Sequence, residues 1–188
     1  MDKYFWEQRW NSQEIGWDLG QVSPPIKLYI DQLDNKGIRI LIPGAGNAYE
    51  AEYLIEKGFV NDISKGAIEA FRKRVPSFAI NYILQEDFFT LTVTPYDLVI
   101  EQTFLCAIRP EMRKNYVNKM YELIKPNGLL VGVLFDRDFE GGPPFSGSRT
   151  EYEKLFSPKF EIEHMETTEH SILPRSGKEL FVIMKRKP

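Results

Sequence analysis

The sequence is poor in the residues that build metal sites and disulfides, with one cysteine and two histidines among 188 residues. The single cysteine, Cys106, excludes an internal disulfide, and His164 and His170 stand near no cysteine cluster, so we expect no metal. No apolar run approaches the roughly 18 residues of a membrane-spanning helix, and the N-terminus lacks a signal-peptide pattern. We therefore expect a cytoplasmic protein without membrane contact.

Positive charge is not in excess either. The 24 basic residues are outnumbered by 27 acidic ones, which gives a net charge of −3 and argues against nucleic acid as a partner. The apolar fraction of 43% is typical of a globular protein, and the length fits a single domain over residues 1–188. We expect a monomer or weak dimer whose partner is a small molecule.

The middle of the chain alternates short apolar runs with amphipathic segments. Such alternation predicts parallel strands joined by helices, whereas the last two apolar runs predict an antiparallel hairpin. The predicted strands span 38–43, 59–62, 79–84, 96–102, 129–135, 160–167 and 179–184, and the predicted helices begin at Pro24, Asn47, Ser64 and Pro110. We therefore expect an α/β, Rossmann-like fold with a mostly parallel seven-stranded sheet, a C-terminal antiparallel hairpin, and ligands at the carboxyl ends of the strands.

A glycine turn follows the first predicted strand. Gly44 and Gly46 stand where bare backbone lets a nucleotide-like ligand approach the start of the next helix. A dinucleotide fingerprint requires a third glycine three positions later, where this chain has Tyr49, and the phosphate-binding loop of nucleoside triphosphatases is absent. The ligand that remains carries adenosine without phosphate.

Acidic residues follow the next two predicted strands. S-Adenosylmethionine needs a carboxylate for its ribose, an acceptor for its adenine and glycine backbone for its methionyl part, and Asp62, Asp87 and Gly44 stand in those places. Asp62 can accept both ribose hydroxyls and Asp87 the adenine amino group, while Phe88 covers the ring. Singly, such acidic residues are often only turn formers or helix caps, but their order favours S-adenosylmethionine.

All three tryptophans lie in an aromatic N-terminal arm, residues 1–22. Trp6, Trp10 and Trp17 either pack the arm onto the edge of the sheet or close it as a lid over the cofactor, and both roles can hold together. In a lid, the indole rings attract the sulfonium cation by about 0.5 to 2 kcal/mol. The arm is therefore a second candidate element of the cofactor site.

Several segments together are similar to one enzyme family. They are 5–10 with 16–17, 42–47, 62–64, 86–88, 101–108, 125–128 and 142–145. The most specific combination is the tryptophan arm with Phe-Leu-Cys-Ala-Ile and Gly-Pro-Pro-Phe. Across nearly its whole length the chain resembles the S-adenosylmethionine-dependent thiopurine, thiol and halide methyltransferases. The resemblance implies a class I methyltransferase fold that converts S-adenosyl-L-methionine to S-adenosyl-L-homocysteine.

Carried over by position, the resemblance implies cofactor contacts in the arm and along the carboxyl edge: Trp6, Trp10, Trp17, Gly44, Asp62, Asp87, Phe88 and Gln102. Three departures accompany it. Relatives usually have a tyrosine where Gln102 stands, and some have one where Phe135 ends the fifth strand. The segment before Asp62 is also a few residues shorter than in the family. The strand that carries Asp62 is therefore very short, and the reach of the Asp62 carboxylate to the ribose depends on this strand.

The implied reaction moves a methyl group to a small soft nucleophile, namely a thiol, thiopurine, bisulfide, thiocyanate or halide. Such a nucleophile needs no general base, so positioning and exclusion of water supply most of the catalysis. We interpret His164 and His170 as structural or exposed, with thiol deprotonation as the alternative, and Cys106 as a small buried hydrophobe rather than a nucleophile. The competing hypothesis is a sensor or partner protein that binds S-adenosylmethionine without turning it over.

The loop after the fifth predicted strand is the candidate acceptor pocket. In the loop 141–147, Pro144 and Phe145 can wall an apolar pocket at the cofactor edge, although the loop also fits a rigid surface turn. Phe135, at the end of the fifth predicted strand, is a further candidate for this pocket. Arg149 either attracts an anionic acceptor or has a surface or helix-end role. The identity of the acceptor depends on a few such side chains.

Overall fold

A computed structural model of the chain describes residues 8–9, 12, 16–59, 61–64, 68–79, 82–84 and 86–188. Its strands are β1 (Ile40–Ile42), β2 (Asn61–Ser64), β3 (Ile83–Leu84), β4 (Tyr96–Gln102), β5 (Ile124–Phe135), β6 (Phe160–Thr167) and β7 (Glu179–Arg186). Its main α-helices are α1 (Pro24–Asp31), α2 (Tyr49–Glu56), α3 (Ile68–Arg74), α4 (Arg113–Leu123) and α5 (Arg149–Phe156). The elements therefore alternate as the sequence pattern predicts for an α/β fold.

The strands form one sheet in the order β3-β2-β1-β4-β5-β7-β6. The first five strands pair in parallel, whereas β7 runs antiparallel to both β5 and β6. Because β1 lies between β2 and β4, the strand order reverses there. The carboxyl ends of β1 and β4 flank this switch point, where open α/β sheets bind ligands.

Two apolar layers cover the two faces of the sheet. On β1, Leu41 belongs to one layer and Ile40 and Ile42 to the other, because successive side chains of a strand point to opposite faces. Tyr116 and Met120 of α4 lie in the layer that contains Leu41, one helical turn apart. The core therefore follows the alternation of the buried strands.

The second strand begins two residues later than predicted. The sequence pattern assigns Phe59 to this strand, but its N–H donates to the carbonyl of Leu54 and closes the end of α2 after Gly58, which has φ +82°. Asp62 is consequently the second of four strand residues rather than the last. Its Cα pairs with that of Leu41.

Other element boundaries differ for local reasons. Asn47 does not cap α2, because Ala48 is the N-cap residue, with φ 57°. Strand β5 begins at Ile124, which pairs with Tyr96 before an irregular stretch. Helix α5 was not predicted from the sequence; Ser148 caps it by accepting a hydrogen bond from the N–H of Glu151 at 3.3 Å.

Candidate functional site

The glycine turn lies at the carboxyl end of β1, as predicted. Gly44 and Gly46 have φ of +59° and +54°, a region that favours glycine. A Cβ atom at Gly44 would lie 2.8 Å from Cγ of Phe104, whereas a Cβ at Gly46 would have no described atom within 4 Å. Gly44 is therefore needed for packing, whereas the described residues leave space beside Gly46.

The segment that brings Phe104 to the turn is held by a buried carboxylate. Glu101 in β4 is fully buried, and its Oε1 accepts the N–H groups of Phe104 at 2.6 Å and Leu105 at 2.9 Å, while Oε2 accepts from the hydroxyl of Tyr116. Burial raises the pKa of Glu101 to about 6. These bonds support Thr103, whose φ of 54° is unusual for a β-branched residue.

Gln102 ends β4 next to this segment. Its Oε1 is buried and has no hydrogen-bond partner among the described residues. Buried acceptors are normally paired, because an unpaired one loses its hydration without compensation. The carboxamide therefore has free capacity for a donor on a ligand at the carboxyl edge. The open space at Gly46 and this orphaned oxygen together fit a polar ligand bound across the end of the sheet.

The two acidic residues predicted to bind the cofactor occupy different settings. Asp62 lies within β2, and its Cα pairs with Leu41 two residues before the glycine turn begins at Pro43. Asp87 is exposed after β3, and its Oδ1 accepts the N–H of Phe89 at 2.8 Å, which is the turn-forming role that was the alternative. Their binding of ribose and adenine stays a prediction.

Phe88 is more deeply packed than its predicted role requires. Only 7% of the residue is exposed, and its ring stacks on Tyr116 with centroids 5.5 Å apart and meets Phe104 edge-on at 5.1 Å. Only a small part of the ring stays accessible, and its contact with adenine stays a prediction. Phe89 is half-buried beside it and meets the Phe88 ring edge-on.

The aromatic arm is attached to the site at two neighbouring residues. Trp6 and Trp10 lie outside the described residues. The carbonyl of Trp17 accepts from Nη2 of Arg175 at 2.8 Å, and Oδ2 of Asp18 accepts from Nδ2 of Asn47 in the glycine turn at 2.5 Å. This part of the arm therefore lies between the glycine turn and the loop that joins β6 to β7.

Three of the candidate acceptor residues lie in or after β5: Phe135 ends the strand, and Pro144 and Phe145 lie in the loop that follows. Phe135 is buried, packs edge-on against Phe139 at 5.2 Å and has the guanidinium of Arg175 over its ring at 5.1 Å. Pro144 and Phe145 are half-buried, and the N–H of Phe145 donates to the carbonyl of Cys106 at 2.7 Å. The loop is thereby fixed against the segment after β4.

Arg149 does not take the position expected of a group that attracts the acceptor. Its guanidinium forms two hydrogen bonds with Glu166 of β6, at 3.2 and 2.7 Å, and both side chains are exposed. This geometry favours the surface and helix-end alternative, because Arg149 opens α5 and its charge is already paired.

Arg175 is a buried cation of this region that the sequence pattern did not reveal. Arg175 is 7% exposed, and its Nη1 pairs with the buried carboxylate of Glu179 at 3.2 Å. The one sequence signal for this role is that Arg175 lies in the segment that links the two strands of the predicted hairpin. It contacts both the arm and the acceptor side.

Cys106 and the two histidines lie in the settings that the sequence predicts, as a buried thiol and as exposed side chains. Burial raises the pKa of the Cys106 thiol to about 12, so it is a neutral, buried side chain that donates to the carbonyl of Thr103. His164 and His170 are exposed. Within the described residues there is no cluster of potential metal ligands, and no helix there has the length and apolarity to cross a bilayer.

Solved structures share this architecture. A 1,6-didemethyltoxoflavin-N1-methyltransferase from Burkholderia thailandensis, bound to S-adenosylhomocysteine, superposes with a TM-score of 0.78 at 13% identity, over 98% of this chain and 87% of that one. A TehB-like S-adenosylmethionine-dependent methyltransferase from Corynebacterium glutamicum gives 0.66 at 16% identity, over 98% and 97%. The fold is that of a class I methyltransferase.

Sequence comparison then identifies the family. The family model for thiopurine S-methyltransferase matches residues 1–186, so the chain belongs to this family and is an S-adenosylmethionine-dependent methyltransferase. It is 34% identical over 183 residues to the probable thiol methyltransferase 2 of Arabidopsis thaliana, covering 93% of this chain and 81% of the relative. It is 32% identical, with the same coverages, to thiocyanate methyltransferase 1 of Brassica oleracea. The thiopurine S-methyltransferase of Shewanella loihica is 30% identical, over 89% and 87%.

Proposed function

We propose that the protein methylates a small sulfur nucleophile, with hydrosulfide, thiocyanate and low-molecular-weight thiols favoured over the larger thiopurines. The observation that carries the proposal is the packing of the acceptor side, where Phe135 and Phe139 meet edge-on and the loop carrying Phe145 is bonded to the segment after β4. Aromatic side chains held in this way suit a soft, weakly hydrated acceptor. The relatives named as thiol and thiocyanate methyltransferases support the same class.

The cofactor side uses the glycine turn and the strand ends. Bound S-adenosylmethionine supplies an activated methyl group on a sulfonium sulfur. Gly46 leaves room for its methionyl part, and the free Oε1 of Gln102 accepts a hydrogen bond from a donor on the ligand. Asp62 binds the ribose hydroxyls and Asp87 the adenine amino group in this proposal. None of these residues needs to change its protonation state.

The acceptor side contributes alignment and exclusion of water. A thiolate, hydrosulfide or thiocyanate attacks with its own lone pair, so no proton must leave in the transfer step. A soft anion such as iodide can attack in the same way. Rings that exclude water strengthen the nucleophile by removing its hydration, and positioning supplies effective molarities of about 10⁵ M or more. The exposed histidines are not required.

The test is a methylation assay with purified full-length protein. Labelled S-adenosylmethionine is incubated with hydrosulfide, thiocyanate, a small aliphatic thiol, iodide and a thiopurine, and volatile and aromatic products are quantified separately. We expect the highest kcat/KM for a small sulfur acceptor. A higher kcat/KM for the thiopurine would overturn the size preference. Tight binding of S-adenosylhomocysteine without methyl transfer to any acceptor would favour the sensor hypothesis instead.

A further inference from the structure

We propose that Arg175 is a positioning residue that holds the aromatic arm against the cofactor site, an inference that rests on the proposed function for its kinetic consequence. The guanidinium donates to the backbone carbonyl of Trp17 at 2.8 Å, across 158 positions of sequence. A backbone acceptor means that the contact fixes the path of the chain and does not depend on the indole ring. Arg175 thus acts on the arm and not on the reacting atoms.

Arg175 is itself held rigidly enough to serve as an anchor. Its Nη1 pairs with Glu179, the first residue of β7, and Oε2 of that carboxylate accepts from the hydroxyl of Ser171 at 2.7 Å. The guanidinium plane also lies over the ring of Phe135. The anchor therefore joins the arm to two strand ends on the acceptor side, and buried, hydrogen-bonded charges of this kind fix geometry.

A second contact fastens the adjacent arm residue to the cofactor side. Asp18 accepts from Asn47 through one carboxylate oxygen and from the N–H of Gly20 through the other. Farther along, the N–H of Ser23 donates to the buried carboxylate of Glu50 in α2 at 2.9 Å. The arm is therefore hydrogen-bonded on two sides, to the glycine turn through Asp18 and to the loop between β6 and β7 through Trp17. Removing Arg175 breaks only the hydrogen bond to Trp17 on the acceptor side and leaves the Asp18 contacts in place.

The sequence provides a specific probe of the arm. All three tryptophans lie within its first 17 residues, so tryptophan emission reports on the arm alone. The experiment measures acrylamide quenching of tryptophan fluorescence, with and without S-adenosylhomocysteine, in the wild-type protein and in Arg175→Gln. The conservative Arg175→Lys variant and Arg72→Gln, at an exposed position of α3, serve as comparisons. Melting temperatures and steady-state kinetics accompany each variant.

We expect Arg175→Gln to raise the quenching constant by about twofold and the KM for S-adenosylmethionine by about tenfold, with a much smaller change in kcat. Arg175→Lys should lie between it and the wild type, because one ammonium cannot reach both Trp17 and Glu179. Arg72→Gln should match the wild type. A fall in kcat with unchanged quenching would overturn the proposal, because Arg175 would then act on the acceptor.

Removing Arg175 alone leaves Glu179 buried without its cation and can unfold the protein. Arg175→Gln/Glu179→Gln removes both charges and is the second test, with the same expected rise in quenching. Asp18→Ala releases the arm from the other side and should give a similar rise. If the wild type methylates no acceptor, the proposed function fails. The positioning role stands in that case if S-adenosylhomocysteine protects the tryptophans of the wild type from quenching and protects those of Arg175→Gln less. Equal protection in both proteins would overturn the positioning role.

Discussion

The ring of Phe104 packs directly on Gly44, so that a Cβ atom at position 44 would lie 2.8 Å from Cγ and 2.9 Å from Cε2 of the ring. Two strand ends, β1 and β4, therefore meet through one glycine and one aromatic side chain. Glu101 fixes the position of Phe104 in this contact, because its carboxylate accepts a hydrogen bond from the N–H of Phe104. The glycine turn and the carboxylate of Glu101 thus belong to one packed unit.

Gly44→Ala should destabilise the protein and weaken cofactor binding. An alanine at φ +59° costs about 1 to 2 kcal/mol in backbone strain, and displacing the Phe104 ring adds about 1 to 3 kcal/mol. The measurements are urea unfolding and calorimetric affinity for S-adenosylhomocysteine. We expect both the free energy of unfolding and the affinity to fall.

The matched control is Gly58→Ala, because Gly58 also has positive φ, but a Cβ atom there would have no described atom within 4 Å. That variant should lose only the strain energy. The double variant Gly44→Ala/Phe104→Leu should recover part of the loss by making room. Equal losses for the two glycine variants would show that the Phe104 contact does not matter.

Much of the fold follows from the periodicity of the sequence. Strand β4 was predicted with its observed bounds, because apolar residues from Leu98 to Ile100 form the centre of the run from Tyr96 to Gln102. Strand β2 was misplaced, because hydrophobicity cannot show that Phe59 is buried by closing a helix rather than by joining the sheet. Helix α5 was missed because its capping pattern at Ser148 follows a loop rich in glycine and proline.

The site was only partly visible in the sequence for a different reason. The glycine turn is a local motif, so its place after β1 could be predicted. Arg175 and Glu101 act through contacts with distant segments, to Trp17 and Tyr116, and nothing in their sequence neighbourhood encodes those partners. Arg149 looked suitable by position, but its exposed pairing with Glu166 is visible only in three dimensions.

Glu101 should make stability depend on pH. Burial raises its pKa to about 6 from an ordinary value of 4.5, so the folded state binds the proton more tightly than the unfolded state. Its stabilising contribution is fully present below the unfolded pKa and is lost as pH rises through about 6, which amounts to about 2 kcal/mol. Burial also raises the pKa of Glu50, which adds a contribution of the same sign.

The Glu101→Gln variant removes the Glu101 part of this dependence while keeping an oxygen for the N–H groups of Phe104 and Leu105. Urea unfolding between pH 4.5 and 7.5 should therefore show a flatter decline than in the wild type. Glu111→Gln, at an exposed position, should keep the wild-type slope. Identical slopes in all three proteins would mean that Glu101 does not titrate in this range.

Cys106 should be dispensable for methyl transfer. Burial raises the pKa of its thiol to about 12, so it carries no thiolate at neutral pH. Cys106→Ser keeps a donor for the carbonyl of Thr103 and should leave kcat within about twofold of the wild type. Iodoacetamide should modify the native wild-type protein slowly and the urea-unfolded protein quickly. Fast native alkylation, or a folded serine variant without activity, would contradict the structural role.

Asp62→Ala should weaken binding of S-adenosylhomocysteine by about 1 to 3 kcal/mol, because a carboxylate that accepts two ribose hydroxyls leaves both unmet when removed. The effect corresponds to about a 5- to 150-fold rise in Kd, measured by calorimetry. Asp34→Ala, an exposed position in the loop after α1, is the control and should bind as the wild type does. Since Asp62 lies within β2 and pairs with Leu41, rather than at the end of the strand, the measurement decides whether so short a strand still presents its carboxylate to the ribose. An unchanged Kd would remove Asp62 from the cofactor site.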